Sequence, residues 1–481
     1  MTQIASSQKS LIQNSREKNY LIVGLGKSGV SSAKYLVQQK KKFDPQINIS
    51  TYDKYLDINK QKELLKGLSI KNFYTGDIKH EMCPKDTCIV LSPGISFSEI
   101  KAIAQGKDVV NDIFLFLKFI EKNNHRVKNL KIIGVTGTNG KTTTCFFLEH
   151  LYKSLGVNVR VAGNIGLSPL ELIDDLDYIE IIILEISSFQ LLPFISKGLP
   201  VKLDVGILLN LSPDHLDIHK NMEEYYQTKA ELLRSSKRTI VSHNLGLNTS
   251  TEFTDISFGE GFEEVSKINN NGKSLIKYRQ YFQYNKKYIF DDQGFRVEIN
   301  KLKITGGHNL LNITAGIAAF RVLGGSSNRL KNILAEFKGI PHRIEWVRLL
   351  NDVDYFNDSK GTNVASTVAA LENFRDKKNI ILIAGGESKG QSLLPLRDHI
   401  KRNVTHLLLI GKDAKLFEAC FKDIITTQIV RYESMDDAVC HAYRFARKHG
   451  VILLSPACSS IDMYKNYTER GNHFKELVRR L

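Results

Sequence analysis

A glycine-rich turn between a predicted strand and a predicted helix carries the clearest chemistry in this sequence. Residues 131–144 read KIIGVTGTNGKTTT, with the turn at 137–140 and the helix from Lys141 onward. Such a turn directs backbone N–H groups at phosphate oxygens, and the helix N-terminus adds the positive end of its dipole. Lys141 would reach the β- and γ-phosphates and the Thr142 hydroxyl would bind Mg²⁺, although Val135 replaces the first glycine of the longer pattern. The turn predicts an ATP or GTP site; a structural turn beside a solvent-exposed lysine is the alternative.

A second glycine-rich turn lies near the N-terminal end of the chain. Residues 24–29 read GLGKSG after a predicted strand, and Asp53 ends the next strand. This pattern binds a pyrophosphate and places the acidic residue on a ribose hydroxyl, so alone it favours a nicotinamide-dependent oxidoreductase. Glycines that serve only close helix–strand packing are a further alternative. Two such turns in one chain suit an enzyme that binds both ATP and a nucleotide-diphosphate substrate.

Acidic and imidazole side chains follow two further apolar strands. Glu185 comes directly after 181–184, and His215 lies in the segment 210–217, NLSPDHLD. Ligands bind open parallel sheets at the carboxyl ends of the strands. Glu185 could supply oxygen to Mg²⁺ and His215 an imidazole to a second metal site, whereas a helix cap and an ordinary loop histidine are the alternatives. By chemistry alone, Lys229 on a predicted helix is an ordinary surface lysine.

Apolar strands alternate with helical patterns along most of the chain, which is typical of parallel α/β sheets. The segment 243–300 breaks this alternation and predicts added antiparallel strands. We predict a flexible tail over residues 1–17, a Rossmann-like domain over 18–111 and a central phosphate-loop domain over 112–339. A C-terminal Rossmann-like α/β domain would cover 340–481.

Composition narrows the class of protein. With 481 residues, 42% hydrophobic and 25% charged, the chain is too long for one core and has the balance of a soluble protein. No apolar run is long enough for a membrane span, and the polar N-terminus predicts no signal peptide. The six scattered cysteines favour a reducing cytoplasm. The formal charge of +16 could form a surface that binds nucleic acid. The lysine clusters are short and separate, however, which favours charge that is spread over solvent-exposed faces. We expect a cytoplasmic protein without nucleic-acid or membrane partners.

The series of motifs resembles the Mur ligase family over nearly the whole chain from about Asn19. The shared segments are GLGKSG, LSPG, GVTGTNGKTTT, GNIG, LEISSFQ, SPDHLDIH, TKAELL, GGHNLLN, GIPHR, NDSKGTN, GGESKG and LLSPACSSIDMYKNYTERGNHF. The last four together are typical of the members that add D-glutamate. The resemblance implies a three-domain, monomeric ligase that uses ATP to join D-glutamate to UDP-N-acetylmuramoyl-L-alanine through an acyl phosphate, in peptidoglycan precursor synthesis.

By motif position, the resemblance also implies the residues of the site, with UDP rather than a nicotinamide on the N-terminal domain. The expected UDP-substrate contacts are Lys27, Ser28, Asp53, Ser92, Pro93, Gly94, Asn164, Ser187 and His215. The expected ATP contacts are Gly137, Thr138, Asn139, Gly140, Lys141, Thr142, Thr143, Asn309, Asn312, Arg343 and Asp358. The expected D-glutamate contacts are Lys360, Thr362, Lys389, Ser460 and Tyr467, the last in place of a phenylalanine. The expected catalytic residues are Lys141, Glu185, His215 and Lys229.

The resemblance further implies two Mg²⁺ sites, with ligands from Thr142, Glu185, His215 and Lys229. Lys229 matches the lysine that the family carbamylates with CO₂, which turns an ammonium into a carboxylate-like ligand. A non-catalytic nucleotide-binding regulator, which would bind ATP without making an amide, stays open beside the ligase and the oxidoreductase.

Overall fold

The structure is a computed structural model and describes most of the chain. The described residues are 18–195, 198–211, 219, 221–242, 245, 256–260, 280–284, 287–291, 294–304, 307–326, 329–388 and 390–481. They divide into two compact units. The first comprises the residues up to Gln283 with Thr314–Gly325, and the second comprises Tyr284–Ile313 with Ser326–Leu481.

The first sheet of the first unit has five parallel strands in the order β3-β2-β1-β4-β5. The strands are β1 Lys18–Val23, β2 Ile47–Tyr52, β3 Asn72–Tyr74, β4 Thr87–Leu91 and β5 Val109–Val110, and the helices are α1 Lys27–Lys42, α2 Ile58–Leu64, α3 Phe97–Ala104 and α4 Asp112–Lys122. The strand order reverses between β1 and β4. This is the switch point at which doubly wound sheets bind nucleotides, and the turn 24–29 leaves β1 there.

The second sheet of the first unit carries the glycine-rich turn 137–140, which is called the phosphate turn below after its predicted ligand. Its parallel strands follow the order β11-β10-β9-β6-β8-β7. The strands are β6 Lys131–Thr136, β7 Val159–Gly163, β8 Ile181–Glu185, β9 Leu203–Leu208, β10 Ser236–Ser242 and β11 Ile256–Glu260, and the helices are α5 Lys141–Ser154, α6 Ser188–Leu191 and α7 Met222–Arg234. Every residue of β8 and β9 is buried, as in parallel strands covered on both faces.

The segment predicted to be antiparallel is mixed. It contains β11, which pairs parallel with β10, and then β12 Gln280–Tyr284, β13 Tyr288–Asp291 and β14 Arg296–Glu298. Antiparallel pairing is confirmed for β13 and β14, with Tyr288 opposite Glu298. Helix α8, Gly307–Val322, follows.

The second unit has a six-stranded sheet in the order β15-β16-β20-β17-β18-β19. The strands are β15 Glu345–Leu350, β16 Val353–Asn357, β17 Ile380–Gly385, β18 Val404–Ile410, β19 Gln428–Arg431 and β20 Val451–Leu454, and the helices are α9 Leu330–Glu336, α10 Val364–Glu372, α11 Arg397–Asn403, α12 Ala414–Phe421, α13 Met435–Phe445 and α14 Tyr467–Arg480. Within this six-stranded sheet, β15 is antiparallel to β16 and the other described pairs are parallel. Apolar side chains are buried on both faces of the sheet.

The α/β class, with parallel sheets and antiparallel additions, is confirmed. The domain boundaries at 18–111, 112–339 and 340–481 stay predictions. Over the part of the chain that the structure describes, every helix is too short or too polar to cross a bilayer. All six cysteines are free thiols.

Candidate active site

The phosphate turn depends on two glycines with backbone conformations that other residues rarely adopt. Gly137 has φ +151° and Gly140 has φ +84°, directly before α5. A Cβ atom on Gly137 would lie 3.0 Å from the Leu209 Cβ and 3.3 Å from the Asn210 nitrogen, so little space remains for a side chain. The turn therefore keeps its backbone close to the neighbouring strand end and exposes the N-terminus of α5.

Asn210, which follows β9, holds this turn in place. Its carbonyl oxygen accepts from the Thr138 N–H at 3.0 Å, and its side-chain oxygen accepts from the Asn139 N–H at 2.8 Å. Its side-chain amide donates to the Asn139 carbonyl at 2.9 Å. Asn210 is not among the predicted site residues, although its place two residues after the end of a buried strand was the available signal.

Two lysines converge on the carbonyl oxygens of the turn. The Lys141 ammonium donates to the Gly137 and Thr138 carbonyls, both at 2.8 Å, and the Lys229 ammonium donates to the Gly137 carbonyl at 3.0 Å. Lys229 is only 1% exposed and lies 4.6 Å from the centre of the Tyr225 ring. The interpretation of Lys229 as an ordinary surface lysine is therefore wrong, because helix α7 directs this side chain into the interior, against the Gly137 carbonyl.

A chain of hydrogen bonds joins Thr142, Glu185 and Asn164. The Thr142 hydroxyl donates to Glu185 Oε2 and the Asn164 side-chain amide donates to Glu185 Oε1, both at 2.9 Å. Glu185 is 2% exposed. It does not cap a helix, because Ser187 is the residue that caps α6, through Gln190.

The oxygens of Thr142 and Glu185 fit a hard divalent cation. A hydroxyl and a buried carboxylate separated by one hydrogen bond are the donor types that Mg²⁺ prefers. His215 lies outside the described residues, so its expected part in the site stays a prediction. Among the described residues, this site included, there is no group of three or more His, Cys, Asp or Glu side chains that could hold a metal ion.

A cleft of about 500 Å³ lies between the two sheets of the first unit. It brings together most of the residues expected to contact the UDP substrate, namely Lys27, Ser28, Asp53, Ser92, Pro93, Gly94 and Asn164. Ser187 does not line this cleft; its hydroxyl donates to Gln190 Oε1 at 3.1 Å. The cleft therefore supports a ligand that spans both sheets.

Two carboxylates hold the turns that line the cleft. Asp53 accepts from the Leu25 N–H at 2.9 Å, which fixes the turn 24–29. Asp112, the first residue of α4, accepts from the hydroxyls of Ser28 at 2.7 Å and Ser168 at 2.8 Å. Burial raises the pKa of the Asp112 carboxyl. Asp112 is not among the predicted site residues; it ties a turn of the first sheet to a turn of the second.

In the second unit, Arg343 lies in a turn with unusual backbone angles. His342 and Ile344 on either side have φ +65° and φ +45°. The Ile344 N–H donates to Asp358 at 3.2 Å, and the Ser455 hydroxyl donates to Asp358 at 2.6 Å. Burial raises the pKa of Asp358 to about 7. Positive φ at a β-branched residue is strained, and such strain is typical of functional turns.

Residues expected to contact D-glutamate follow neighbouring strands of the second unit. Lys360 and Thr362 come after β16, and Ser460 comes after β20. The Lys360 ammonium lies 5.9 Å from the centre of the Tyr467 ring, at the start of α14. Lys389 lies outside the described residues. Of the remaining expected ATP contacts, Thr143 is buried on α5, Asn312 is buried on α8, and Asn309 lies one turn earlier on α8.

Comparison with family models covers most of the chain. The Mur ligase MurD-like, N-terminal domain matches residues 18–111, the Mur ligase middle domain matches 135–320, and the Mur ligase, glutamate ligase domain matches 342–458.

Similar curated proteins share one name. The UDP-N-acetylmuramoylalanine--D-glutamate ligase of Coxiella burnetii (strain Dugway 5J108-111) is 34% identical over 481 residues, which cover 97% of this chain and 100% of the relative. The ligase of the same name from Legionella pneumophila (strain Paris) is 32% identical over 475 residues, 96% of this chain and 99% of the relative.

Solved structures show the same fold at lower identity. The UDP-N-acetylmuramate-alanine ligase of Thermotoga maritima superposes with a TM-score of 0.51 at 15% identity, covering 97% of this chain and 100% of that one. The MurF ligase of Thermotoga maritima, in complex with ADP, gives a TM-score of 0.51 at 19% identity, covering 90% and 96%.

Proposed function

The chain belongs to the Mur ligase family, and from this premise we propose its reaction and the work of its residues. It is an ATP-dependent ligase that joins D-glutamate to UDP-N-acetylmuramoyl-L-alanine, a step of peptidoglycan precursor synthesis. We assign the reaction to the cytoplasm and to a monomer with three domains.

One observation supports this chemistry above the others. Asn164 lines the cleft of the first unit, and its amide binds Glu185, which also binds Thr142 at the start of the phosphate-turn helix. Two hydrogen bonds therefore connect a nucleotide-sized cleft to a phosphate-binding turn. An enzyme that must bring the carboxylate of a UDP-linked substrate to the γ-phosphate of ATP needs this arrangement, and an oxidoreductase does not.

Amide formation in water requires an activated acid. The alanyl carboxylate of the substrate attacks the γ-phosphorus of ATP, which gives an acyl phosphate and ADP. The free amine of D-glutamate then attacks the acyl carbon, and the tetrahedral intermediate collapses to an amide and inorganic phosphate. In the first step two anions meet, so positive charge must be placed where they approach.

Lys141 is the described cation best placed for the first step. Its ammonium already lies at the turn, 2.8 Å from two carbonyl oxygens, and a short movement would turn it to a phosphate. We assign Arg343 to the ATP phosphates and Asp358 to the ribose, on their motif positions. Asn309 and Asn312 are assigned to the adenine on the same basis.

We assign Thr142 and Glu185 to Mg²⁺, with His215 at a second site. When bound, the metal neutralises charge on the phosphates and so lowers the repulsion between ATP and the substrate carboxylate. Thr142 and Glu185 would exchange their mutual hydrogen bond for the metal, and Asn164 would still hold the carboxylate of Glu185 in place.

Lys229 is assigned as a carbamate in the working enzyme. The ammonium would first lose one proton, and the neutral amine would then attack CO₂ and lose a second proton. These steps convert a buried cation into an anion with two oxygens. Support comes from its burial and from its place against the Gly137 carbonyl of the turn. A carbamate there would supply oxygen to the metal next to the turn.

Lys360, Thr362, Lys389, Ser460 and Tyr467 are assigned to D-glutamate, and the cleft of the first unit to the UDP moiety. The first test is phosphate release from ATP with UDP-N-acetylmuramoyl-L-alanine and either D-glutamate, L-glutamate or no amino acid. We expect sustained release only with D-glutamate. Tight NADH binding would favour the oxidoreductase, and ATP binding without any amide product would favour the regulator.

A further inference from the structure

Arg470 is the largest side chain of the described chain that is fully buried, with 1% exposure. It lies on α14, one helical turn after Tyr467. Its guanidinium donates only to neutral oxygens among the described residues: the Ser359 hydroxyl and carbonyl, both at 3.0 Å, the Cys458 carbonyl at 3.1 Å and the Ser459 carbonyl at 3.3 Å. Burying a cation that has no carboxylate among its hydrogen-bond partners lowers the stability of the folded state.

These partners belong to turns that leave neighbouring strands. Ser359 lies in the turn after β16, while Cys458 and Ser459 lie in the turn after β20. The turn after β17 is also close, since a Cβ on Gly386 would lie 3.4 Å from an Arg470 nitrogen. Arg470 therefore contacts or adjoins the turns of three adjacent strands of the sheet.

The turns after β16 and β20 each carry a residue assigned to D-glutamate, and a third assigned residue follows β17 in sequence. Lys360 directly follows Ser359, Ser460 directly follows Ser459, and Lys389 lies three residues after Gly386. The Ser359 hydroxyl also donates to the Tyr467 carbonyl at 2.8 Å, which ties the start of α14 to the first turn. The Arg470 guanidinium therefore contacts or adjoins the turns to which we assign the amino-acid site.

We propose that Arg470 is a positioning residue for the amino-acid substrate: it fixes the turns after β16 and β20 relative to each other, and its charge favours a dicarboxylate in front of them. This inference rests on the proposed function, because it takes the assigned D-glutamate residues as the site. Arg470 does not replace Lys360 or Ser460 as a direct contact. It acts through the turns that carry them.

The proposal explains why a charged side chain is buried at this place. Burial lowers the pKa of Arg470 to about 10, so it stays a cation at neutral pH. Asp462 and Asp358 lie near enough to favour the charge but do not bind the guanidinium directly. A bound amino acid with two carboxylates would add further negative charge near this cation, and this coupling strengthens binding of the anion.

Substitutions of Arg470 separate positioning from simple stability. Arg470→Met keeps an unbranched side chain but removes the positive charge and the hydrogen-bond donors. Arg470→Lys keeps the positive charge but loses the planar guanidinium with its several donors. Arg480→Met is the matched control, because Arg480 lies on the same helix with a side chain 69% exposed. For each variant, KM for D-glutamate, KM for ATP, KM for the UDP substrate, kcat and Tm are measured.

We expect Arg470→Met to raise KM for D-glutamate at least about tenfold, with KM for ATP and for the UDP substrate unchanged. Arg470→Lys should recover part of the loss, and Arg480→Met should behave as wild type. An unchanged KM for D-glutamate, or equal changes in all three KM values with a lower Tm, would overturn the proposal. If Arg470→Met does not fold, the same criteria apply to Arg470→Lys. A wild-type protein that makes no amide would instead refute the proposed function.

Discussion

The buried carboxyl of Asp358 makes the stability of the second unit depend on pH. Burial raises its pKa from 3.8 to about 7, although Ser455 and Ile344 donate hydrogen bonds to it. Because the folded pKa is the higher one, the folded state keeps a proton that the unfolded state has already lost between these values. The stability that this proton supplies is fully present below 3.8 and is lost as the pH rises through about 7.

Asp358→Asn removes this titration while it keeps the shape of the side chain. The asparagine oxygen can accept from Ile344, and its amide can donate to the Ser455 hydroxyl, which has Thr367 Oγ1 as an alternative acceptor at 2.9 Å. The variant therefore imitates the protonated acid at every pH. Between about pH 5 and about pH 8, wild type should lose about 3 kcal/mol of unfolding free energy through this group, and the variant should not.

Trp346 provides the assay for this prediction. It is the one tryptophan of the chain, lies on β15 in the same unit, and donates its indole N–H to Asp354 at 3.0 Å. Urea unfolding of the ligand-free protein, followed by its fluorescence at both pH values, reports the unit that holds Asp358. Asp376→Asn is the matched control, since that side chain is 96% exposed, and it should leave the pH dependence unchanged. Equal losses of stability in wild type and Asp358→Asn would refute the reasoning.

Three substitutions in the first unit test the assigned chemistry. Lys141→Ala should reduce D-glutamate-dependent phosphate release at least about 100-fold, because it removes the cation at the turn, and near-normal release would contradict the ATP assignment. Lys229→Ala should be similarly inactive and partly rescued by added acetate, whereas rescue by no short carboxylic acid would argue against the carbamate. Gly163→Ala, at φ +105°, would place its Cβ 2.3 Å from the Glu185 carbonyl oxygen. It should cost about 2–4 kcal/mol in urea unfolding, and unchanged stability would contradict the packing of β7 on β8.

Most of the fold follows from the sequence because parallel strands that are covered on both faces leave continuous apolar runs. Strands β8 and β9 are such runs, and every one of their residues is buried. The segment 243–300 was harder to interpret. Its alternating polar pattern predicts antiparallel pairing, which holds for β13 and β14, but β11 pairs parallel with β10. Pairing direction depends on the neighbouring strand, which a local pattern does not contain.

The residues of the candidate site also fall into a group that the sequence could predict and a group that it could not. The glycine-rich turns at 24–29 and 137–140 were predictable as turns, because glycines and hydroxyls at strand ends are local signals. The burial of Lys229 was not, since α7 places this lysine against a turn 92 residues away in sequence. Asp112 and Arg470 were not predictable for the same reason: each binds side chains or carbonyls of distant turns, and nothing near them in sequence marks that contact.

The motif glycines have a second task that the sequence alone did not indicate. At the carboxyl end of β7, a Cβ on Gly163 would lie 2.3 Å from the Glu185 carbonyl; at the end of β17, a Cβ on Gly385 would lie 2.1 Å from the Ile410 carbonyl. Both glycines have positive φ. In each of these two sheets, therefore, the last residues of the paired strands lie closer together than they could if the glycine carried a side chain. We assign the ligands to this edge of the sheets, and we infer that these glycines allow the turns that follow the strands to lie close together there.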